Sequence, residues 1–133
     1  MNNKPIALVT GASRGIGKAI AQQLVADGFY VVGTATSDNG AAAISDYLSD
    51  SGKGMTLDVT DTDSIQSVLK DITSTVGAPT VLVNNAGITR DNLMLRMKDD
   101  EWDDIISTNL SSIFRVSKGC LRSMMKNKKG RIV

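Results

Sequence analysis

The chain has 133 residues, of which 41% are hydrophobic and 22% charged, proportions that indicate a folded globular domain. Fifteen basic and 14 acidic residues leave a net charge of +1, which excludes the strong field that favours binding to nucleic acid or a membrane. No apolar run approaches the roughly 20 residues of a membrane helix, and no secretory signal opens the chain. The single cysteine excludes an internal disulfide and fits a reducing cytoplasm, which is the compartment we expect.

The first predicted strand, over residues 6–10, leads into a helix through a glycine-rich segment. Residues 10–17 read TGASRGIG and are called the glycine loop. Its three glycines permit a tight turn, a close backbone approach to a ligand and close helix packing. The first N–H groups of a helix stay unpaired and, with the helix dipole, attract a phosphate. We interpret the loop as a dinucleotide-binding turn; the alternative is an ordinary strand-to-helix turn without a ligand.

Apolar residues at helical spacing predict four helices. The first is expected to bury Ile16, Ile20, Leu24 and Val25, and to stop at Gly28. The second turns Ile44, Tyr47 and Leu48 inward, and the third is capped by Thr60 or Asp61. A long fourth helix, from near Asp99 to near Lys126, holds the single cysteine, Cys120, as a buried residue. This helix is also expected to bury Trp102, Ile105, Ile106, Leu110, Ile113 and Phe114.

Further strands alternate with these helices. They are predicted over residues 29–32, 55–59, 80–83 and 130–133, with residues 49–54 as a loop. The alternation predicts a Rossmann-type, doubly wound parallel sheet in the order 3-2-1-4-5. A sheet that stops at its fifth strand exposes an edge and uncovered helix surface. We therefore expect residues 1–133 to be the N-terminal part of one nucleotide-binding domain, truncated at the start of strand five.

The strand ends offer further contacts for a dinucleotide. Thr36 follows strand two with no acid before Asp38, and Arg14 in the glycine loop can face a 2′-phosphate, which favours NADP(H) over NAD. Alternatively, Arg14 is solvated and Asp38 turns back to the ribose. Asp58 and Val59, at the end of strand three, can meet an adenine ring, although Asp58 could equally cap the next helix.

Residues 84–87, Asn-Asn-Ala-Gly, follow strand four, beside strand one in the predicted order. Small residues there let the backbone approach a ligand, while a side-chain amide can join neighbouring strand ends. Both interpretations stay open from the sequence alone.

The glycine loop, Asp58-Val59, residues 84–87 and the helix that carries Asn109 together resemble the short-chain dehydrogenase/reductase family. Residues 33–37, 84–106 and 108–118 are most similar to its bacterial members that reduce 3-oxoacyl thioesters of acyl carrier protein. The resemblance implies an NADPH-dependent reductase of fatty acid biosynthesis, tetrameric through the long helix. Alternatives are a short-chain reductase of a small ketone, sugar or steroid, and a non-catalytic dinucleotide-binding module.

The resemblance also assigns residues. Coenzyme contacts are carried over to Gly11, Ala12, Ser13, Arg14, Gly15, Ile16, Gly17, Thr36, Asp58, Val59, Asn85, Ala86 and Gly87. Asn109 matches the first member of the family's Asn, Ser, Tyr and Lys catalytic set, and its side chain or a helix irregularity could hold a relay water. Taken alone, Asn109 is equally a tolerated polar residue at a packed turn. No Tyr-x-x-x-Lys occurs in the 133 residues, so we expect this chain alone to be inactive.

Four cations surround the end of the long helix, namely Lys126, Lys128, Lys129 and Arg131. A solvated helix end is the interpretation that the residues themselves favour, because cations suit a helix C-terminus. In the family this region resembles a docking surface for the acidic carrier protein, which gives Lys128, Lys129 and Arg131 that role. No aromatic residue interleaves the cations, so nucleic acid is a poor partner, and we expect no metal.

Overall fold

The computed structural model describes residues 4–86 and 96–133, without the side chains of residues 107 and 108. Five strands alternate with helices in this part of the chain. In order they are β1 (Ile6–Val9), α1 (Gly15–Ala26), β2 (Tyr30–Ala35), α2 (Asp38–Leu48), β3 (Gly52–Thr56), α3 (Thr62–Thr75), β4 (Val81–Val83), α4 (Asp99–Ile105), α5 (Ser112–Asn127) and β5 (Arg131–Ile132). A 3₁₀ turn (Ser49–Ser51) precedes β3, and a π-helical turn (Ile106–Ser111) joins α4 to α5.

The strands form one parallel sheet in the order β3-β2-β1-β4-β5, which confirms the predicted topology. Leu8 in β1 pairs with Val32 on one side and with Leu82 on the other. The order reverses between β1 and β4. The carboxyl ends of the strands therefore open a crevice at that point, where doubly wound sheets bind their ligands.

Helices cover both faces of the sheet, because alternate residues of a buried strand point to opposite sides. Ala7 and Val9 pack with Ile44 of α2 on one face. Leu8 packs on the other face with Ile72 of α3. These five residues are all fully buried. None of the described helices combines the length and apolar character that crossing a membrane requires.

Strand three differs from its prediction. It begins at Gly52 and ends at Thr56, so residues 52–54 are strand rather than loop, and Asp58 and Val59 follow the strand. Glycine is a poor strand former, which hid this segment. Helix α2 lies so close that a Cβ at Gly54 would stand 2.0 Å from the carbonyl oxygen of Ala41. Close packing of helix on strand therefore outweighs the weak strand propensity here.

Several apolar side chains predicted to face inward are exposed. Trp102, Leu110 and Phe114 are 56%, 60% and 63% exposed. Ile113 is 41% exposed, and Ile105 and Ile106 are half-buried. The π-helical turn contributes for Ile113 and Phe114, since it widens the helix and shifts the phase of the 3.6-residue pattern that follows it.

The buried face of α5 comprises Ser112, Val116, Cys120 and Met124 instead. Cys120 is buried as predicted, and burial raises the pKa of its thiol to about 11. In α1, Ile16 is 74% exposed, while Gly17 and Ala21 form the buried face. The inward prediction for Ile16 was therefore wrong, because Ile16 lies off the face that Gly17 and Ala21 bury and lines a surface cavity instead.

Candidate functional site

The glycine loop connects β1 to α1 at the sheet's carboxyl edge, and its glycines meet specific demands. Gly11 and Gly15 adopt φ values of +65° and +60°, a region that favours glycine. A Cβ on Gly11 would also stand 3.0 Å from the Cα of Ala86. At Gly17, a Cβ would lie 2.1 Å from the carbonyl oxygen of Gly11. The loop is thus folded tightly against the end of β4.

The N-terminus of α1 is uncapped. Arg14 occupies the cap position in an extended conformation, makes no side-chain capping bond, and no acid follows in the first turn. By contrast, Ser37 caps α2 by accepting a hydrogen bond from the Gly40 N–H at 3.1 Å. Asp61 caps α3 by accepting from the N–H groups of Asp63 and Ser64. The first N–H groups of α1 therefore remain available to a bound anion.

Hydrogen bonds hold the glycine loop from the protein side. The N–H of Ala12 donates to the carbonyl of Thr34 at 2.8 Å, and that of Gly11 donates to the Thr34 hydroxyl at 3.4 Å. The Asn85 amide donates to the carbonyl of Gly11 at 3.0 Å. The Tyr47 hydroxyl donates to the carbonyl of Ala12. Neighbouring elements thus fix the two peptide groups at the start of the loop.

Thr10 joins β1 to the segment after β4. Its buried hydroxyl accepts hydrogen bonds from the N–H groups of Asn85 and Ala86, at 3.0 and 2.9 Å, and donates to the carbonyl of Val83 at 3.4 Å. Asn84 donates to the hydroxyl of Ser117 on α5 at 3.3 Å. These contacts support the scaffolding interpretation of residues 84–86, and Gly87 lies outside the described residues.

A cavity of about 620 Å³ opens above these elements and is called the coenzyme cavity. Its volume lies within the range of about 300–1,000 Å³ typical of ligand sites. Most of the predicted coenzyme contacts line it, namely Gly11, Ser13, Arg14, Gly15, Ile16, Thr36, Asp58, Val59, Asn85 and Ala86. Ala12 and Gly17 do not line the cavity, because both of these loop residues are buried.

Residues 34–36, at the end of β2, separate into a buried and an exposed set. Thr34 is buried, whereas Thr36 is exposed and lines the cavity with Arg14. Asp38 is not among the lining residues, and its carboxylate accepts a hydrogen bond from the Thr56 hydroxyl at 3.0 Å. The geometry therefore presents a hydroxyl and a cation here, with the nearest acid bonded elsewhere.

Asp58 forms a local turn after β3 rather than a helix cap. Its carboxylate accepts hydrogen bonds from the hydroxyl and the N–H of Thr60, at 2.6 and 2.9 Å. Both bonds favour the ionised form and lower the pKa of Asp58 below its ordinary value of 3.8. Asp61, not Asp58, caps α3. An ionised carboxylate thus stands at the cavity wall beside Val59.

Several features of the site escaped the sequence analysis. Asp104 of α4 and Leu57 also line the cavity. The roles of Tyr47 and of the Thr10 hydroxyl in holding the loop and β4 were not predicted either. Asp104 lies within a strongly acidic helix whose charges predict only a solvated face, so its sequence carries no distinguishing signal.

Comparison with known proteins identifies the family. The sequence profile described as short chain dehydrogenase matches residues 5–133. The chain belongs to this family. It is 66% identical over 128 residues to the 3-oxoacyl-[acyl-carrier-protein] reductases FabG of Salmonella typhimurium and Escherichia coli K12, and 53% identical over 131 residues to that of Pseudomonas aeruginosa. These matches cover 96% of the chain and 52–53% of each relative, so the chain spans about half the length of the curated relatives it matches.

The short-chain dehydrogenase family implies a nicotinamide dinucleotide as coenzyme. The residues present fit such a group. An uncapped helix start suits the linking phosphates, and glycines stand where a side chain would collide with Ala86 or with the loop itself. The cavity reaches from this loop to the ends of β2 and β3.

Two predicted sites lie away from the glycine loop. Asn109 is half-buried and lies within the π-helical turn between α4 and α5. A helix irregularity therefore occurs at the position where the short-chain dehydrogenases carry their catalytic Asn; the catalytic role stays a prediction. Lys128, Lys129 and Arg131 are exposed around the end of α5 and line a separate groove with Leu121 and Met125. Their docking role also stays a prediction.

Proposed function

We propose that the intact protein reduces 3-oxoacyl-[acyl-carrier-protein] to 3-hydroxyacyl-[acyl-carrier-protein] with NADPH, in fatty acid biosynthesis. The carrying observation is the 66% identity over 96% of the chain to reductases named for that reaction. The coenzyme cavity, with its uncapped helix, gives this proposal a physical site. We also propose that the intact protein is located in the cytoplasm.

The residues of this chain would bind and orient the coenzyme. The first N–H groups of α1 would receive the linking phosphates, and Asp58 and Val59 would meet the adenine. Asn85 and Ala86 would border the nicotinamide-side ribose. The bound nicotinamide supplies the hydride. Asn109, in the π-helical turn, would hold a water that relays a proton toward the reduced carbonyl.

The choice of NADPH over NADH rests on charge. Arg14 and Thr36 both line the coenzyme cavity, and their guanidinium and hydroxyl groups would contact a 2′-phosphate. A ribose 2′-hydroxyl would instead need an acid after β2. The only nearby candidate, Asp38, already accepts a hydrogen bond from Thr56.

The 133 residues alone would not turn over. Hydride transfer to a ketone leaves an alkoxide, which must be protonated as it forms, and a tyrosine does this near neutral pH only with a nearby cation to lower its pKa. The tyrosines of this chain are Tyr30 and Tyr47, and the residues four positions further on are Thr34 and Ser51. Neither forms a Tyr-x-x-x-Lys pair, and neither tyrosine lines the coenzyme cavity.

Two surfaces support the proposed partners. The cations Lys128, Lys129 and Arg131 would steer an acidic carrier protein by charge. On α5, Phe114, Leu121 and Met125 recur seven and four residues apart and are all exposed. This outer stripe supports a homotetramer packed through α4 and α5, because apolar area of this kind gains free energy when a second subunit covers it.

The decisive experiment compares substrates on the intact protein. We expect NADPH oxidation with acetoacetyl-[acyl-carrier-protein] at a kcat/KM well above that for free small ketones, sugars or steroids. Equal or greater efficiency on a free ketone would favour another short-chain reductase. The 133-residue chain serves as the second arm, and turnover by it above the blank would refute the proposed need for the tyrosine and lysine. Calorimetry that gives no heat with NADPH or NADH on the intact protein would refute the coenzyme assignment.

A further inference from the structure

Tyr47 lies outside the coenzyme cavity, yet its hydroxyl is bonded to the glycine loop. It projects from α2, half-buried, and donates to the carbonyl of Ala12, which is fully buried. The ammonium of Lys18, in α1, lies 5.1 Å from the centre of the Tyr47 ring. One side chain of α2 thus contacts both the loop and the helix that follows it.

The bond from Tyr47 fixes the direction of the next N–H group. In a planar trans peptide the carbonyl and the N–H point to opposite sides. Because the Ala12 carbonyl points into the protein toward Tyr47, the N–H of Ser13 points away from it, on the side where Ser13 lines the coenzyme cavity. The preceding peptide is fixed in the same manner, with its carbonyl on Asn85 and its N–H on Thr34.

We propose that Tyr47 is a positioning residue for the coenzyme, which orients the Ser13 N–H toward the linking phosphates from behind the loop. The inference rests on the proposed coenzyme-binding role of the cavity and adds a residue to it that does not touch the ligand. Burial raises the pKa of Tyr47 above its ordinary value of 10.0, so the hydroxyl keeps its proton near neutral pH. A preorganised donor binds an anion better, since less order must be gained on binding.

The test replaces Tyr47 with Phe in the intact protein, which removes one hydroxyl and keeps the ring against Lys18. Tyr30→Phe is the matched control: Tyr30 begins β2 at the far end of the sheet, and in the described part of the chain its hydroxyl makes no hydrogen bond. Two dissociation constants are measured by calorimetry for each variant. One is for NADPH, and the other is for adenosine 2′-monophosphate, which lacks the linking phosphates.

We expect Tyr47→Phe to raise the dissociation constant of NADPH about two- to tenfold and to leave that of adenosine 2′-monophosphate unchanged. In the protein without coenzyme, hydrogen exchange of the Ala12 N–H should quicken by a similar factor, since its bond to Thr34 depends on the same loop. Tyr30→Phe should change neither quantity.

A dissociation constant for NADPH that is unchanged in Tyr47→Phe would overturn the inference. Equally weaker binding of NADPH and adenosine 2′-monophosphate would also overturn it, because that result indicates a general loss of folded protein. Equal effects of the two substitutions would also overturn it. Wild-type protein that binds no NADPH would instead refute the proposed function itself, and the exchange of the Ala12 N–H would then still show whether Tyr47 holds the loop.

Discussion

Gly17 lies at the tightest point of the site, and replacing it with alanine tests the geometry of the loop. The added Cβ would stand 2.1 Å from the carbonyl oxygen of Gly11 and 2.6 Å from the side-chain nitrogen of Asn85. The first neighbour is backbone and cannot rotate aside. Overpacking of this kind costs about 1–3 kcal/mol, and we take the upper end. Alanine regains about 1 kcal/mol of helix propensity over glycine, which leaves a net loss of about 2 kcal/mol in the free energy of unfolding.

The affinity for the coenzyme should fall more sharply in Gly17→Ala than the free energy of unfolding does. Relief of the clash moves the loop, so the first N–H groups of α1 lose their alignment with the linking phosphates, and we expect NADPH to bind about 10–100-fold more weakly. Gly28→Ala is the matched control at the other end of α1. There φ is +95° and a Cβ would meet nothing within 4 Å, so strain alone should cost about 1–2 kcal/mol.

Urea unfolding and calorimetry on the intact protein give both quantities. The two variants should lose similar stability, and only Gly17→Ala should lose coenzyme affinity. The reasoning fails if Gly17→Ala unfolds within about 0.5 kcal/mol of wild type with NADPH affinity unchanged. It also fails if Gly28→Ala weakens NADPH binding to the same extent, because the geometry of the glycine loop would then not be the cause.

Three further outcomes follow from the site and the core. Arg14→Gln should weaken NADPH about tenfold relative to NADH, measured as the ratio of dissociation constants, and an unchanged ratio would contradict the 2′-phosphate contact. Thr60 lowers the pKa of Asp58, so the ionised carboxylate stabilises the fold above its unfolded pKa near 3.8 and that stability is lost as the pH falls through the folded value. The difference in unfolding free energy between wild type and Asp58→Asn should therefore shrink below about pH 4, and a difference that is constant in urea titrations from pH 6 to pH 3 would count against it. Burial raises the pKa of Cys120 to about 11, so iodoacetamide at pH 8 should label its peptide at least about 100-fold faster after unfolding than before, as read by mass spectrometry.

Topology and the glycine-rich turn could be predicted from the sequence because both are encoded locally. Strands and helices alternate along the chain, and parallel strands joined by right-handed crossovers leave few possible orders. The glycines at positions 11 and 15 take positive φ values, as the turn requires. Each of these signals lies within about a dozen residues, which is the range over which periodicity and turn chemistry act.

The contacts that hold the loop could not be predicted, because they join distant parts of the chain. The Thr10 hydroxyl accepts hydrogen bonds from the N–H groups of Asn85 and Ala86, which lie 75 and 76 residues further along the chain. The Tyr47 hydroxyl donates to the carbonyl of Ala12, 35 residues earlier. A threonine in a strand and a tyrosine on the inner face of a helix are ordinary core residues by propensity and pattern. Only the packing of α2 and β4 against the loop gives their hydroxyls a partner.

The outer stripe of α5 shows why burial was misassigned. On an α-helix, Phe114, Leu121 and Met125 fall on the face opposite Val116 and Cys120, which pack on the sheet. An apolar residue gains the same free energy per unit area whether its own sheet or another subunit removes it from water. Hydrophobic periodicity therefore predicts that a helix face is removed from water, but it does not indicate whether the chain's own sheet or another subunit covers that face. Because the π-helical turn also breaks the phase between α4 and α5, the residue pattern shows two apolar faces on one long helix. It does not distinguish the core from a surface that suits a second subunit.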